Sequence, residues 1–188
     1  MENDATLTIG ENAYALHIIE GTESEKAVDI SSLRKQSKFI TFDDGYGNTG
    51  SCESSVTFID GDQGILRYRG FDIADLATSS NFLETSYLVI YGELPSASEL
   101  DLFKERVSKF SKLPEEVVNA IHAQPKNSHP MGVLATGLQA LGGAYPAYCT
   151  NDRKSDLECF DETAALIIST VRTIAATRHR FLLSEEVP

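Results

Sequence analysis

The sequence is poor in positive charge, contains no tryptophan and lacks long apolar runs. Its 188 residues carry 16 Lys and Arg against 28 Asp and Glu, which gives a formal net charge of −12. Nucleic-acid binding normally shows a basic footprint, and anionic lipid headgroups would repel such a chain. No apolar run approaches the roughly 18–20 residues of a membrane helix, and the N-terminus lacks the basic and apolar blocks of a secretory signal. The sequence therefore predicts a soluble, cytoplasmic protein that binds neither nucleic acid nor membrane.

Cysteine and histidine are too sparse and too scattered to predict a metal site. Cys52, Cys149 and Cys159 are odd in number and form no Cys-x-x-Cys pair, so we interpret them as reduced packing residues. The four histidines include no pair at i,i+4 and no His-Glu-x-x-His motif. We predict neither a metal nor a cofactor.

Residues 1–70 are predicted to form a β-rich N-terminal segment. Hydrophobic residues make up 41% of the chain, which is enough for a core. Alternating apolar residues predict strands at 6–9, 14–18, 38–42, 55–59 and 65–68. Gly and Asp or Asn lie between the first two of these strands and between the last two, which predicts two hairpins.

Residues 71–188 show a helical period and are predicted to form one helical domain that is incomplete at its C-terminus. Predicted helices cover 82–91, the segment opened by the Ser96–Glu99 capping box, a segment started by Pro114, 128–143 and 155–183. In the fourth of these, Ser128 is the expected cap and Gly142-Gly143 the expected end. The predicted fold class is mainly α with a small β-rich N-terminal segment.

The chain stops at Pro188, directly after a helix that turns basic. No closing element follows this helix. A truncated chain or gene fragment fits this ending at least as well as a complete protein.

Three motifs could carry chemistry. Asp60-Gly-Asp-Gln-Gly64 has Phe71 where a calcium loop needs its twelfth-position Glu, so we interpret it as a hairpin turn. His129, at the start of a predicted helix, is either a structural residue bonded to nearby backbone or a neutral hydrogen-bond donor in catalysis. Lys104, Arg106, Lys109 and Lys112 form either a solvated helix face or a site for a phosphate-bearing effector.

Eight sequence blocks occur in a recognisable order. They are Ile19–Thr22, Thr41–Asp43, Thr49–Ser54, Thr57–Asp62, Gly64–Phe71, Leu76–Thr78, Tyr91–Pro95 and Ser128–Met131. Their order and spacing resemble the N-terminal portion of citrate synthase, in the longer bacterial (type II) form with an added β-rich segment. The resemblance implies a citrate-synthase-like helical large domain, present here in part.

The resemblance also implies an activity for the full-length form. Citrate synthases are acyltransferases of the tricarboxylic acid cycle that condense acetyl-CoA with oxaloacetate and water to give citrate and CoA. They work as homodimers, and the bacterial form often assembles its dimers into hexamers. The motif Gly-Pro-x-His-Gly-Gly, which carries one catalytic histidine, is absent, because Gly142-Gly143 follow Gln139-Ala-Leu. We therefore assign no catalytic residue and expect this chain alone to be inactive.

Regulation and substrate choice stay open at this point. Some bacterial members bind NADH through an Arg-His pair where this chain has Lys109-Phe110, so Lys109 and Lys112 are the candidate effector contacts. A 2-methylcitrate synthase fragment is one alternative function. A non-enzymatic dimerising or regulatory module is another.

Overall fold

The structure is a computed structural model that describes residues 4–184. The chain divides into two compact units, Met1–Ser55 and Val56–Pro188, called here the β unit and the helical unit. Residues 4–184 contain six strands and eight α-helices, with seven of the helices in the helical unit, so the mainly α class is confirmed. The second hairpin belongs to the helical unit, and the domain division into residues 1–70 and 71–188 stays a prediction.

The β unit is a small antiparallel sheet with one short helix. Its elements are β1 (Asp4–Ile9), β2 (Asn12–Glu20), β3 (Lys26–Val28) and α1 (Leu33–Ser37), with sheet order β1-β2-β3. Ile9 pairs with Asn12 across a two-residue turn in which Gly10 adopts φ +63°, a value that glycine takes without strain. The predicted N-terminal hairpin is confirmed. Leu16 and Leu33 are its buried apolar side chains in the described residues.

The strand predicted at residues 38–42 is wrong. This segment has no strand partner among the described residues, and Phe39, Ile40 and Phe42 are 53%, 70% and 91% exposed. The alternating pattern satisfies the local signal for a strand, but a strand forms only where a neighbouring strand accepts its backbone hydrogen bonds. Lys38 instead closes α1 in the left-handed conformation.

The loop that follows is organised by one carboxylate. Asp43 accepts hydrogen bonds from the Gly47 and Asn48 N–H groups at 3.0 and 2.9 Å and from the Thr49 hydroxyl. These bonds, led by the one from Thr49, hold the pKa of Asp43 below its ordinary value. The Gly- and Asn-rich loop is therefore folded around a single side chain.

The helical unit begins with the second predicted hairpin. Strands β4 (Thr57–Asp60) and β5 (Ile65–Tyr68) pair antiparallel, and β6 (Phe71–Asp72) adds to β5. After β5, Arg69 donates hydrogen bonds from Nε and Nη2 to the Val89 carbonyl at 3.2 and 2.9 Å. This prediction is confirmed, and the arginine ties the hairpin to the helices.

Seven helices follow. They are α2 (Ile73–Ser79), α3 (Phe82–Tyr91), α4 (Ala97–Ser108), α5 (Glu115–His122), α6 (Pro130–Ala144), α7 (Arg153–Glu158) and α8 (Phe160–Leu183). The predicted Ser96–Glu99 capping box is present at α4, since the Ser96 side chain accepts the Glu99 N–H and Glu99 accepts the Ser96 N–H. Between residues 4 and 184 no helix is long and apolar enough to cross a membrane.

Three predicted helix limits are corrected. His129, not Ser128, caps α6 through its side chain. Gly142-Gly143 lie inside α6 rather than ending it; the helix ends before Pro146, whose ring would clash with the preceding turn. The last predicted helix is divided into two helices, because helical structure is interrupted at Cys159 between α7 and α8.

The core of the helical unit lies between α4, α5, α6 and α8. Its buried apolar residues are Phe103, Val107, Phe110, Leu113, Val117, Ile121, Val133, Leu141, Ala165, Leu166 and Ile174. Helices α6 and α8 approach closely at Gly137, where an added Cβ would lie 2.9 Å from Ile174 Cγ2. Any side chain at this position would therefore force Ile174 or the two helices to shift.

Candidate effector site on helix α4

The basic residues of α4 are held by carboxylates. Phe103 and Val107 bury one face of this helix, so its basic residues lie on the other faces. Lys104 Nζ lies 3.2 Å from Asp101 Oδ1. Arg106 bridges to α8, with Nη1 3.3 Å from Asp161 Oδ2 and Nε 3.4 Å from Glu162 Oε1. Most of the predicted basic cluster is thus neutralised within the fold.

The two candidate effector contacts differ in their surroundings. Lys109 Nζ lies 2.9 Å from Glu162 Oε2, and this hydrogen bond and charge raise the pKa of Lys109. Lys112 is exposed and forms no ion pair with a residue in the range 4–184. An anion would have to compete with Glu162 for Lys109, whereas Lys112 is free to bind it. The assignment of both as effector contacts stays a prediction.

Beside this basic face lies a small tyrosine-lined cavity of about 190 Å³. Tyr91 Oη donates a hydrogen bond to Asp161 Oδ1 at 3.0 Å and accepts one from Arg106 Nη1 at 3.3 Å. Burial, reinforced by the Asp161 hydrogen bond, raises the pKa of Tyr91. The Tyr87 ring packs 4.4 Å from the Tyr91 ring, and burial raises the pKa of Tyr87 as well, with Glu99 adding to the effect. Both phenols therefore stay neutral, and the network fastens α3 and α4 to α8.

Sequence reasoning missed this network because Tyr91 and Asp161 are 70 positions apart. The signal that could have pointed to it is Arg106 in the last turn of α4, an arginine that needs carboxylate partners. Nothing in the local pattern identifies α8 as their source.

His129 has a structural role in the fold. Its Nδ1 accepts the Met131 N–H at 3.2 Å, which caps α6 and leaves the proton of a neutral ring on Nε2. The structural interpretation is confirmed. His122 stacks on Phe181 with ring centroids 4.3 Å apart, and its buried Nε2 has no hydrogen-bond partner among the described residues.

A buried arginine holds the start of α6 in place. Arg178, on α8, is 6% exposed and donates hydrogen bonds to the carbonyls of Gln124, Pro125 and Lys126 at 3.3, 2.6 and 3.1 Å. These carbonyls belong to the loop between α5 and α6, so one guanidinium fixes that loop to α8. The sequence signal that could have pointed to the burial of Arg178 is its position four residues after Ile174, which places both side chains on one face of α8.

The cysteines only partly match their interpretation as packing residues. Cys52 and Cys149 are exposed and Cys159 is partly buried, and all three are free thiols. Cys52 and Cys149 were therefore wrongly interpreted as packing residues. Residues 4–184 contain no group of three or more His, Cys, Asp or Glu side chains that could hold a metal ion.

Solved structures of one class of enzyme share this fold. A ternary complex of carboxymethyl coenzyme A and oxaloacetate with citrate synthase from Thermoplasma acidophilum matches 75% of this chain with a TM-score of 0.67 at 28% identity. The citrate synthase of Thermotoga maritima matches 78% of this chain with a TM-score of 0.64 at 32% identity. This chain covers 36% of each of those two chains.

The sequence comparisons agree with the structural ones. The family model described as citrate synthase, C-terminal domain, matches residues 45–187. A curated citrate synthase from Corynebacterium glutamicum is 38% identical over 178 residues, which is 95% of this chain. The chain belongs to the citrate synthase family, as its sequence blocks predict. It spans about 40% of the length of that curated relative.

Proposed function

We propose that this chain is the N-terminal portion of a citrate synthase whose complete polypeptide condenses acetyl-CoA with oxaloacetate and water to give citrate and CoA. The observation that carries the proposal is the match to the citrate synthase of Corynebacterium glutamicum. The two sequences are 38% identical over 95% of this chain, but the match covers only 40% of the length of that enzyme. The ligands of the Thermoplasma acidophilum complex, a coenzyme A derivative and oxaloacetate, support these substrates.

The portion present here acts as scaffold and does not catalyse the reaction alone. Enolising a thioester needs a base at the acetyl methyl group and donors at the developing enolate, and the condensation then needs a further donor at the oxaloacetate carbonyl, all within hydrogen-bond reach of the substrates. In the described part of the helical unit no histidine is paired with a carboxylate of another described residue. His122 lies against Phe181 and His129 caps a helix, so neither is arranged as an acid or a base. These arrangements support inactivity of the isolated chain.

Apolar side chains at the surface of the last three helices support a larger assembly. They are Met131, Leu157, Phe160, Ile167, Leu182 and Leu183, each at least 40% exposed. Helices that expose large apolar residues on the face opposite their core are typical of elements that pack on a further partner. We propose that the rest of the parent polypeptide and a second subunit cover this surface, in a homodimer or in a hexamer built from dimers.

The activity proposal is tested by following CoA release from acetyl-CoA in the presence of oxaloacetate. Three samples are compared, namely the chain alone, the full-length parent, and the chain co-expressed with the remaining part of the parent. We expect turnover by the second and third samples and none by the first. Sustained turnover by the purified chain alone would overturn the scaffold assignment, and no turnover by the parent would overturn the activity.

Acyl-CoA choice is tested in the same parent enzyme. A 2-methylcitrate synthase is the close alternative, and it would show a higher kcat/KM with propionyl-CoA than with acetyl-CoA. We expect acetyl-CoA to be preferred, because the curated relative that matches most of the chain is a citrate synthase.

A non-enzymatic dimerising or regulatory module is the second candidate, and the exposed apolar surface of α6 to α8 favours it. A stop codon directly after Pro188 together with a stable dimer in sedimentation would support this module. An open reading frame that continues into the family's catalytic motifs supports the enzyme portion instead. The cytoplasmic location stays a prediction under either candidate.

We also propose that Lys112, with Lys109 in a lesser role, contacts a phosphate-bearing effector in the parent. Lys112 carries the larger part because Glu162 already engages Lys109. Lys112→Gln should raise the effector concentration for half-maximal inhibition more than Lys109→Gln does, measured with NADH. Equal inhibition of both variants and the unmodified parent would refute this assignment.

A further inference from the structure

Three basic side chains and one serine line a single open cavity in the β unit. Arg34, Lys35 and Lys38, together with Ser31, surround a volume of about 640 Å³ beside α1. All four residues are exposed, while Leu33 next to them is 3% exposed and anchors α1. The basic residues are therefore presented to solvent from a fixed helix.

These cations are unusual for their surroundings. Residues 1–55 hold four Lys and Arg against ten Asp and Glu, and three of those four basic residues line this cavity. The fourth, Lys26, lies 3.5 Å from Glu20, whereas the three form no ion pair with any residue from 4 to 184. Arg34 and Lys38 are also like charges at i,i+4, an unfavourable spacing on a helix. The acidic β unit thus contains three neighbouring basic side chains that form no ion pair within the described residues.

The backbone at Lys38 gives a second, independent observation. Lys38 has φ 68° and ψ 0°, a left-handed cap position at which glycine or asparagine is usual. Its N–H donates to the Arg34 carbonyl at 3.1 Å, and Ser37 Oγ donates to the Leu33 carbonyl and accepts the Phe39 N–H. A side chain that persists at a strained backbone position points to a use for that side chain.

We propose that Ser31, Arg34, Lys35 and Lys38 bind a small anion that carries two or more phosphate groups. Each phosphate of pyrophosphate loses its first proton well below neutral pH and one of the two loses a second near a pKa of about 6, so the anion carries about three negative charges near neutral pH, equal to the three cations. The planar guanidinium of Arg34 can hold two phosphate oxygens, and the lysines supply point charges. The nearby carboxylate of Asp29 already accepts the Ser31 N–H at 2.8 Å and does not line the cavity. This site is distinct from α4 and does not depend on the proposed catalytic activity.

A simpler role for the same charges is stabilisation of α1. The C-terminal end of a helix carries partial negative charge, and basic residues there are favourable. That role requires no ligand. It predicts that Lys38→Gly, which relieves the left-handed strain, changes stability without affecting the binding of any anion.

The test is calorimetric titration of the full 188-residue chain with inorganic pyrophosphate at low ionic strength. Orthophosphate and citrate are titrated in parallel, because citrate matches the charge of pyrophosphate without its phosphate groups. We expect pyrophosphate to bind most tightly, and Arg34→Gln, Lys35→Gln and Lys38→Gly each to weaken it about fivefold or more. Lys126→Gln is the matched control, since it removes another exposed lysine side chain that forms no ion pair with any residue from 4 to 184, and it should leave the affinity unchanged. Far-UV circular dichroism of each variant verifies that the fold is retained.

Four outcomes would overturn the proposal. They are no measurable pyrophosphate binding, equal weakening by Lys126→Gln, citrate binding as tightly as pyrophosphate, and unchanged binding by Lys38→Gly. The second would indicate general charge attraction, and the third a site that recognises charge and not phosphate. The last would leave the cations with a role in the helix alone.

Discussion

The crossing of α6 and α8 at Gly137 allows a prediction whose sign depends on one neighbouring side chain. A Cβ on Gly137 would lie 2.9, 3.2 and 3.4 Å from the Cγ2, Cδ1 and Cγ1 atoms of Ile174, which is 1% exposed. Cδ1 can turn away. Cγ2 cannot, because a β-branched side chain in a helix is restricted to essentially one χ1 rotamer. Gly137→Ala should therefore push the two helices apart.

The magnitude follows from two opposing contributions. Alanine in place of a helical glycine stabilises by about 1 kcal/mol, and overpacking a filled core costs about 1–3 kcal/mol. Gly137→Ala is thus expected to be destabilising by about 1 kcal/mol. Ile174→Ala alone should cost about 2–5 kcal/mol through the cavity it leaves. In the Ile174→Ala background the clash is gone, so adding Gly137→Ala should become stabilising by up to about 1 kcal/mol.

Urea unfolding followed by far-UV circular dichroism measures all four members of this cycle. Gly132→Ala is the matched control, because it lies in the same helix with nothing within 4 Å of an added Cβ. We expect the control to be stabilising in both backgrounds. If Gly137→Ala lowers stability equally with and without the Ile174 side chain, the contact is not the cause and the reasoning from the crossing is wrong.

Further predictions concern single polar contacts. Arg178→Met should lower the free energy of unfolding by about 3 kcal/mol, because three carbonyls lose a charged donor. The control Arg172→Met, at an exposed position of the same helix, should change it little. Urea unfolding measures both variants, and hydrogen exchange at residues 124–128 should be faster in Arg178→Met. Ser96→Ala should cost about 1 kcal/mol by removing the α4 cap, again measured by urea unfolding. Hydrogen bonds from Ser96 hold the pKa of Glu99 below its ordinary value of 4.5, so the stability that this pair adds is complete above pH 4.5 and is lost as the pH falls through the lower folded pKa. The difference in stability between wild type and Ser96→Ala should therefore narrow at acid pH, because the bond from the Ser96 hydroxyl to the Glu99 carboxylate is lost while the bond from the Glu99 N–H to that hydroxyl remains, and a constant difference would contradict that linkage.

Local signals predicted much of the fold. Gly10 and Gly64 provide positive φ at the two hairpin turns, and the Ser96–Glu99 box starts α4 where the spacing indicated. In each case the residues that decide the structure are within four positions of one another. Such patterns are readable because the interactions they describe close within the same short segment.

Features that depend on distant contacts could not be predicted in this way. The alternation at residues 38–42 indicated a strand, but no partner strand exists for it among the described residues. Gly142-Gly143 suggested a helix end, yet α6 continues and the decisive residue is Pro146. The carboxylates that neutralise Arg106 and Lys109 come from α8, more than 50 positions away. Because these carboxylates could not be identified from the sequence, the net charge of the α4 surface, on which the effector interpretation depends, could not be predicted.

The longest helix shows why family membership is clear while the proposed activity would need a larger polypeptide. Helix α8 buries one stripe against the core, including Leu166 and Ile174, with Arg178 turned toward the loop before α6. The same helix leaves Ile167 and Leu183 45% and 55% exposed. A surface helix normally presents polar residues on the face opposite its buried stripe. Apolar residues on both faces of α8 therefore indicate that its second face also packs against a partner. Packing within the chain buries the first face of α8 and explains the recognisable fold. We expect the rest of the parent polypeptide and its second subunit to cover the other face and to supply the groups that perform the chemistry.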